Sequence, residues 1–338
     1  MTEYKSPKSP GNNKSGSDGS QDASARPGAD RLDFSAVRTT NLDGRHSKVR
    51  VGDFARPLKP GATMGEFFLG LPRILAAADL KEAAGRIVLA KKTGRPVILG
   101  LGGHVIKVGL GPIIIDLMER GLIDGLAANG SVMVHDAEAA LVGATSEDVG
   151  AGLGSGDFGV TAETGELINR AAKLAAEEGT GLGHILGRTL LEKRPPFLQV
   201  SVLAAAERLN LPMTIHAAIG TDVYNIHPEA DGAALGAASM RDFKLFCWMV
   251  SNLDGGVFIN LGSAVILPEV FLKALTLARN LGHPLSNLTT INMDFIRHYR
   301  PQVNVVGRPT QEGGRGFYFI GHHEIMFPLL MSMVLEQM

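Results

Sequence analysis

Four points along the chain carry side chains able to move protons or hold an amine: His104, His216, Asp222, and the run His322-His323-Glu324. Each lies in or just after a short apolar run of the kind that forms a strand buried in a parallel sheet. Histidine is the side chain whose charge changes near neutral pH, which suits a general base. Asp222 follows a strand and a glycine, a position suited either to an amine-binding carboxylate or to an Asx turn. Small residues gather at the same strand ends: Gly102-Gly103, Asn129-Gly130-Ser131 and Gly262-Ser263-Ala264. Glycine lets the backbone turn tightly and lets a ligand approach it. Turns at the carboxyl ends of neighbouring parallel strands form a crevice, the usual ligand site of an open α/β sheet. An ordinary strand–helix–strand unit, with glycines that serve only its turns, is the other reading of the same residues.

The surrounding elements must place these groups. Val97–Leu101 reads as the first strand, and Pro112 opens a helix closed by Gly121. Leu122–Ala128 is a second strand, Met213–Ile219 a third and Gly256–Leu261 a fourth. Leu288–Met293 and Gly316–Ile320 complete the set. Two helices between Thr63 and Lys92, broken near 77–80, lead into the first strand. Further helices are expected over 161–178, from 183, over 197–209, 233–250 and 268–281, and from Phe327 to Leu335. Thr161 is placed to cap its helix. Strands alternating with helices give an α/β fold, a Rossmann-like doubly wound and mostly parallel sheet with helices on both faces. Residues 1–30 hold almost no apolar side chains and read as a disordered tail, leaving 31–338 as a single domain.

Composition narrows the function classes. Of 338 residues, 33 are Lys or Arg and 34 Asp or Glu, a net charge of −1 that gives no sign of a nucleic-acid surface. The single cysteine excludes an internal disulfide and fits a reducing compartment. No apolar run reaches the length of a membrane span, and the N-terminus lacks the apolar core of a signal peptide, so a cytoplasmic protein is expected. The run 150–159 is rich in glycine but lacks the Lys-Ser or Lys-Thr ending of a phosphate loop, and reads as a loop near a subunit contact. His227, Glu229 and Asp231 invite a metal reading. Their spacing matches no metal pattern, and solvated loop residues account for them. Asp136 and Glu138 open a helix, where carboxylates favour the macrodipole without any catalytic part.

In order and spacing, several blocks resemble the deoxyhypusine synthase family from Met64 to Leu335: VILGLGGHVIKVGLGPIIIDLMERGLIDGLAANGSVMVHDAEAAL, PMTIHAAIGTDVYN, GGVFINLGSAV and GFYFIGHHEIMFPLLMSMVLE. The resemblance implies NAD as cofactor and a homotetramer with sites between paired subunits. It also implies a polyamine or other small amine as substrate, dehydrogenated to an imine whose aminoalkyl group is transferred. By position, Gly102, Gly103, His104, Asn129, Gly130, Ser131, Asp136, Gly262, Ser263 and Ala264 would contact NAD, with Asp222 as the amine partner. The sequence also departs from the family. Where the family has a catalytic Lys-His-His stretch, this chain has Ile266, Leu267 and Pro268. It has no lysine after Lys273 to carry the covalent imine. The expectation is therefore NAD-dependent imine chemistry on a small amine, polyamine or basic amino acid, not deoxyhypusine formation. His104, His216, His322 or His323 would serve as base, with Glu324 beside them. Two other readings stand beside it: a metal-assisted hydrolase or lyase using His216, Asp222, His227, Glu229 and His322, and a ligand-binding oligomer without catalysis.

Overall fold

A computed structural model describes residues 32–338; the expected tail over 1–30 lies outside them. The chain divides after Arg50 into two units. In the first, residues 32–50 form two single 3-10 turns, Phe34–Ala36 and Leu42–Gly44, and bury nothing. The second, residues 51–338, carries every strand among the described residues.

Helix α1 (Met64–Gly70) opens on a capping box in which Thr63 and Glu66 satisfy each other's backbone N–H groups. Helix α2 (Leu75–Lys92) follows, with the break at 71–74, around Pro72, rather than at 77–80. Strand β1 (Val97–Leu101) then runs into a one-turn helix α3 (Gly103–Lys107) and α4 (Gly111–Glu119), where Pro112 occupies the first turn. β2 (Gly125–Asn129) passes without a break into α5 (Gly130–Val142). Asn129 is thus the helix cap, accepting from the Val132 N–H at 3.4 Å, rather than part of a free turn. Next come α6 (Val149–Leu153), α7 (Ala162–Glu178), α8 (Leu182–Lys193), α9 (Val202–Arg208) and β3 (Met213–His216). Thr161 sits at the cap of α7 but its side chain makes no cap bond. α10 (Gly232–Ser251), β4 (Val257–Leu261), α11 (Ile266–Asn280) and β5 (Thr289–Asp294) continue the alternation. The short α12 (Tyr299–Pro301) leads into a π-helical turn over Gln302–Gly307, then β6 (Arg315–Ile320) and α13 (His323–Leu335).

The six strands are all parallel, in the order β3-β2-β1-β4-β5-β6. This is the order of a dinucleotide-binding sheet, with its switch point between β1 and β4. Alternate residues of each strand serve opposite faces. Leu99, Leu101, Ile259, Leu261 and Ile291 join a core with α2, α4, α5 and α13. Ile98, Ala127 and Phe258 join a second core with α10 and α11, where Phe258 stacks on Phe271 at 4.0 Å. Gly100 keeps its place there because a Cβ would press on the Phe258 ring at 3.1 Å. On that same face Asn260 and Asn292 are register partners, and the Asn260 amide donates to Asn292 at 2.6 Å and to the Ser263 carbonyl at 2.8 Å.

Two buried carboxylates hold helix ends in place, one of them against the sheet. Asp242, on α10, accepts from the Gly183 N–H of α8 at 3.1 Å and the Ile215 N–H of β3 at 2.9 Å. Burial outweighs those bonds and raises its pKa to about 7. Asp136, on α5, accepts from the Ser201 hydroxyl and the Val202 and Leu203 N–H groups, which begin α9. Burial raises its pKa to about 6. Among the described residues no helix is long and apolar enough to cross a membrane.

Candidate functional site

The carboxyl ends of β1, β4 and β5 and the start of α13 bring four side chains together. His104, exposed on α3, lies edge-on to His323, with ring centroids 5.6 Å apart. Phe295, one residue beyond β5, packs against both rings at 5.9 Å. Asp294 at the strand end places Oδ1 4.0 Å from His323 Nε2. His323 is 1% exposed, and neither of its ring nitrogens has a hydrogen-bond partner. Burial, the larger effect, and the nearby His104 lower its pKa, against the pull of Asp294, so the ring is neutral near pH 7.

The expected strand end at His322-His323-Glu324 is instead a helix start: His322 caps α13 and His323 is its first residue. The side chain therefore turns inward through helix geometry rather than strand alternation. His322 stays on the surface, 3.9 Å from Glu324.

The glycines of the expected cofactor turns serve packing. A Cβ on Gly102 would fall on the Gly262 carbonyl, one on Gly103 would meet Ser131 at 2.5 Å, and one on Gly130 would fall on the Asp222 carboxylate. Gly262 combines φ +70 with His323 Nε2 2.5 Å from where a Cβ would stand. Replacing Gly262 by alanine is therefore expected to cost about 2 kcal/mol or more, from the left-handed backbone and displacement of His323. Urea unfolding would check this, and a cost below about 0.5 kcal/mol would contradict the packing.

Other expected site residues are engaged in the fold. Asp136 is fully buried with both oxygens on the start of α9, which leaves it nothing to offer a cofactor. Ser263 is buried and its hydroxyl accepts the Leu267 N–H of α11. His216 lies in the second core, edge-on to Phe246 and bonded to Thr214, with its pKa lowered to about 3 by burial. Burial keeps that histidine neutral and a weak base near neutral pH, and it stands on the other face of the sheet from the His104 group. His104 and Ser131 are exposed and Asn129, Gly262 and Ala264 partly so; of the expected cofactor residues, these alone reach the surface.

The metal set does not assemble. His227 Nδ1 accepts the Glu229 N–H, and Glu229 pairs with Lys173 at 2.8 Å. Among the described residues no three His, Cys, Asp or Glu side chains are grouped to hold a metal.

A cavity of about 240 Å³ lies between α3, α5 and the loop after β3. Asp222 lines it, accepting from the Ala218 N–H at 2.9 Å and the Tyr224 hydroxyl at 2.5 Å, and burial raises its pKa. Glu138, held by the Thr145 and Thr164 hydroxyls, and His135, bonded to Thr145, line it too. Neither residue type nor spacing singled out Lys107 or Phe295. Lys107 lies one helical turn beyond Gly103 and Phe295 one residue beyond Asp294, so extending the strand-end search by a turn would have reached both.

No family model matches the chain, and no curated protein matches it. Among solved structures, it superposes on AgrE, crystallised as a ternary complex with ornithine and NAD+, with a TM-score of 0.50 at 13% identity, over 77% of this chain and 33% of AgrE. The chain thus spans about a third of that protein. A LOR/SDH-type protein of Methanococcus maripaludis S2 gives 0.47 at 18% identity, over 77% of this chain and 70% of the other. An Entamoeba histolytica protein provisionally assigned as a deoxyhypusine synthase gives 0.47 at 10% identity, over 82% and 94%. At such identity the likeness to AgrE shows the fold alone.

Proposed function

We propose that this chain is an NAD-dependent enzyme acting on a small amine, polyamine or basic amino acid, with His104 as its general base. The observation that carries the reading is the histidine pair: exposed His104 over buried His323, whose nitrogens lack partners, beside the switch point of a sheet in dinucleotide-binding order. The exposed His104 ring and the exposed Ser131 at the start of α5 fit a polar ligand at this edge. His104, Ser131 and Ala264 would hold the cofactor, which when bound supplies a hydride acceptor. His104 would take the proton from the substrate nitrogen as the hydride leaves the adjacent carbon. His323 and Phe295 fix the plane of the His104 ring from behind. The resemblance to AgrE, solved with ornithine and NAD+, supports the pairing of cofactor and substrate class. Exposed Phe295, Ile296, Tyr299, Ile320 and Ile325 flank the ends of β5 and β6 and support a homo-oligomer that covers them.

The test is calorimetric titration with NAD, followed by a search for NADH formation with polyamines and basic amino acids. Saturable NAD binding and turnover that falls about 100-fold or more in His104→Ala support the reading. Absence of NAD binding overturns it.

A further inference from the structure

We infer that the cavity beside α3 and α5 is a subsite for a basic α-amino acid, with the substrate carboxylate on Lys107 and its ammonium groups on the acidic wall. This rests on the amine reading above and specifies its substrate. Three carboxylates line the cavity, Glu138, Glu147 and Asp222. Their protein partners are neutral: two threonine hydroxyls for Glu138, the Gly159 N–H for Glu147, and the Ala218 N–H and Tyr224 hydroxyl for Asp222. The only formal cation on the wall is Lys107, which makes no hydrogen bond or ion pair among the described residues. His135 adds no charge near pH 7, because burial, more than Glu138 can offset, lowers its pKa.

The cavity therefore carries net negative charge and one unpaired amine, and such a site attracts a cation that also bears one anionic group. Val134, Val149, Val223 and Phe158 supply apolar walls for the methylene chain between the charged ends. At about 240 Å³ the space is smaller than the roughly 300–1,000 Å³ of drug-sized sites and suits a molecule of amino-acid size. It adjoins the candidate cofactor face, since Ser131 lines the cavity and also packs against Gly103.

The experiment is calorimetric titration of the full chain with L-ornithine, L-lysine, 1,4-diaminobutane and L-norvaline, in parallel with NAD. Saturable binding of ornithine or lysine, with norvaline weaker by tenfold or more, is expected. Lys107→Met should weaken the amino acid tenfold or more and leave the diamine within twofold, because only the amino acid carries the carboxylate. Glu147→Gln should weaken both, and circular dichroism confirms that each variant is folded. No saturable binding of either basic amino acid, or an unchanged Kd in Lys107→Met, overturns the inference, as does binding of the diamine alone. NAD binding without amino-acid binding overturns this subsite only. Amino-acid binding without NAD binding overturns the hydride reading only.

Discussion

Replacing His323 by leucine is expected to make the protein more stable and a poorer enzyme. The imidazole is 1% exposed with two unpartnered nitrogens. A buried polar group without a partner costs about 1–3 kcal/mol, and an apolar side chain of similar volume removes that cost and can pack against Phe295. Urea unfolding should register a gain of about 1–2 kcal/mol. Turnover should fall tenfold or more, because the His104 ring loses the support that fixes its plane. The pH profile of kcat should also move, since a polar neighbour of His104 is gone. A stability gain with kcat and its pH profile unchanged would reduce His323 to a packing residue. A stability loss would mean that the nitrogens have partners in solution.

The second large effect is in pH dependence. The folded-state pKa of Asp242 is raised to about 7 from 3.8 by burial. Between those values the native state holds a proton that the unfolded state has released, so this group's contribution to stability is fully present below pH 4 and is lost as pH rises toward 7. From pH 5 to pH 8 this group alone withdraws about 3 kcal/mol. Asp242→Asn keeps an oxygen for the Gly183 and Ile215 N–H groups and cannot ionise. The variant should match the wild type to within about 1 kcal/mol at pH 5 and exceed it by about 2–3 kcal/mol at pH 8. Guanidinium melts at the two pH values would show it, and parallel curves for the two proteins would refute the assignment. Asp136, raised to about 6, adds a smaller trend of the same sign over a lower window.

The sheet was legible because each strand is a short apolar run bounded by glycine, proline or polar residues, and the observed strands begin or end within three residues of those runs. The helix starts were less so. Phe197–Leu209 reads as one helix, yet Ser201 and Asp136 divide it into a 3-10 turn and α9. The π-helical turn over Gln302–Gly307 has no periodic signature. The site suffered from a different ambiguity. A residue that caps a helix and a residue that binds a ligand have the same chemistry, and both sit where strands end. Asn129, Asp136 and Ser263 have the types and places of site residues, and only tertiary structure shows them capping α5, α9 and α11. His104 and His323 were visible as residues but not as a pair, because 219 positions of chain separate them.

The Asn260–Asn292 contact bears on how the chain finds its sheet. β4 and β5 are dense in branched and aromatic side chains, which tolerate a neighbour shifted along the strand. Two amides do not. If β5 slipped by one residue, Asn292 would turn to the opposite core and Asn260 would be left among Phe258, Leu267 and Ile98 without its partner. The pair adds little to the depth of the native well, yet it raises the energy of near-miss alignments by the cost of stranding two amides in hydrocarbon. Its removal would thus be felt in the fidelity of folding before the melting temperature: Asn260→Leu with Asn292→Leu should refold with a larger misaligned fraction while melting close to the wild type.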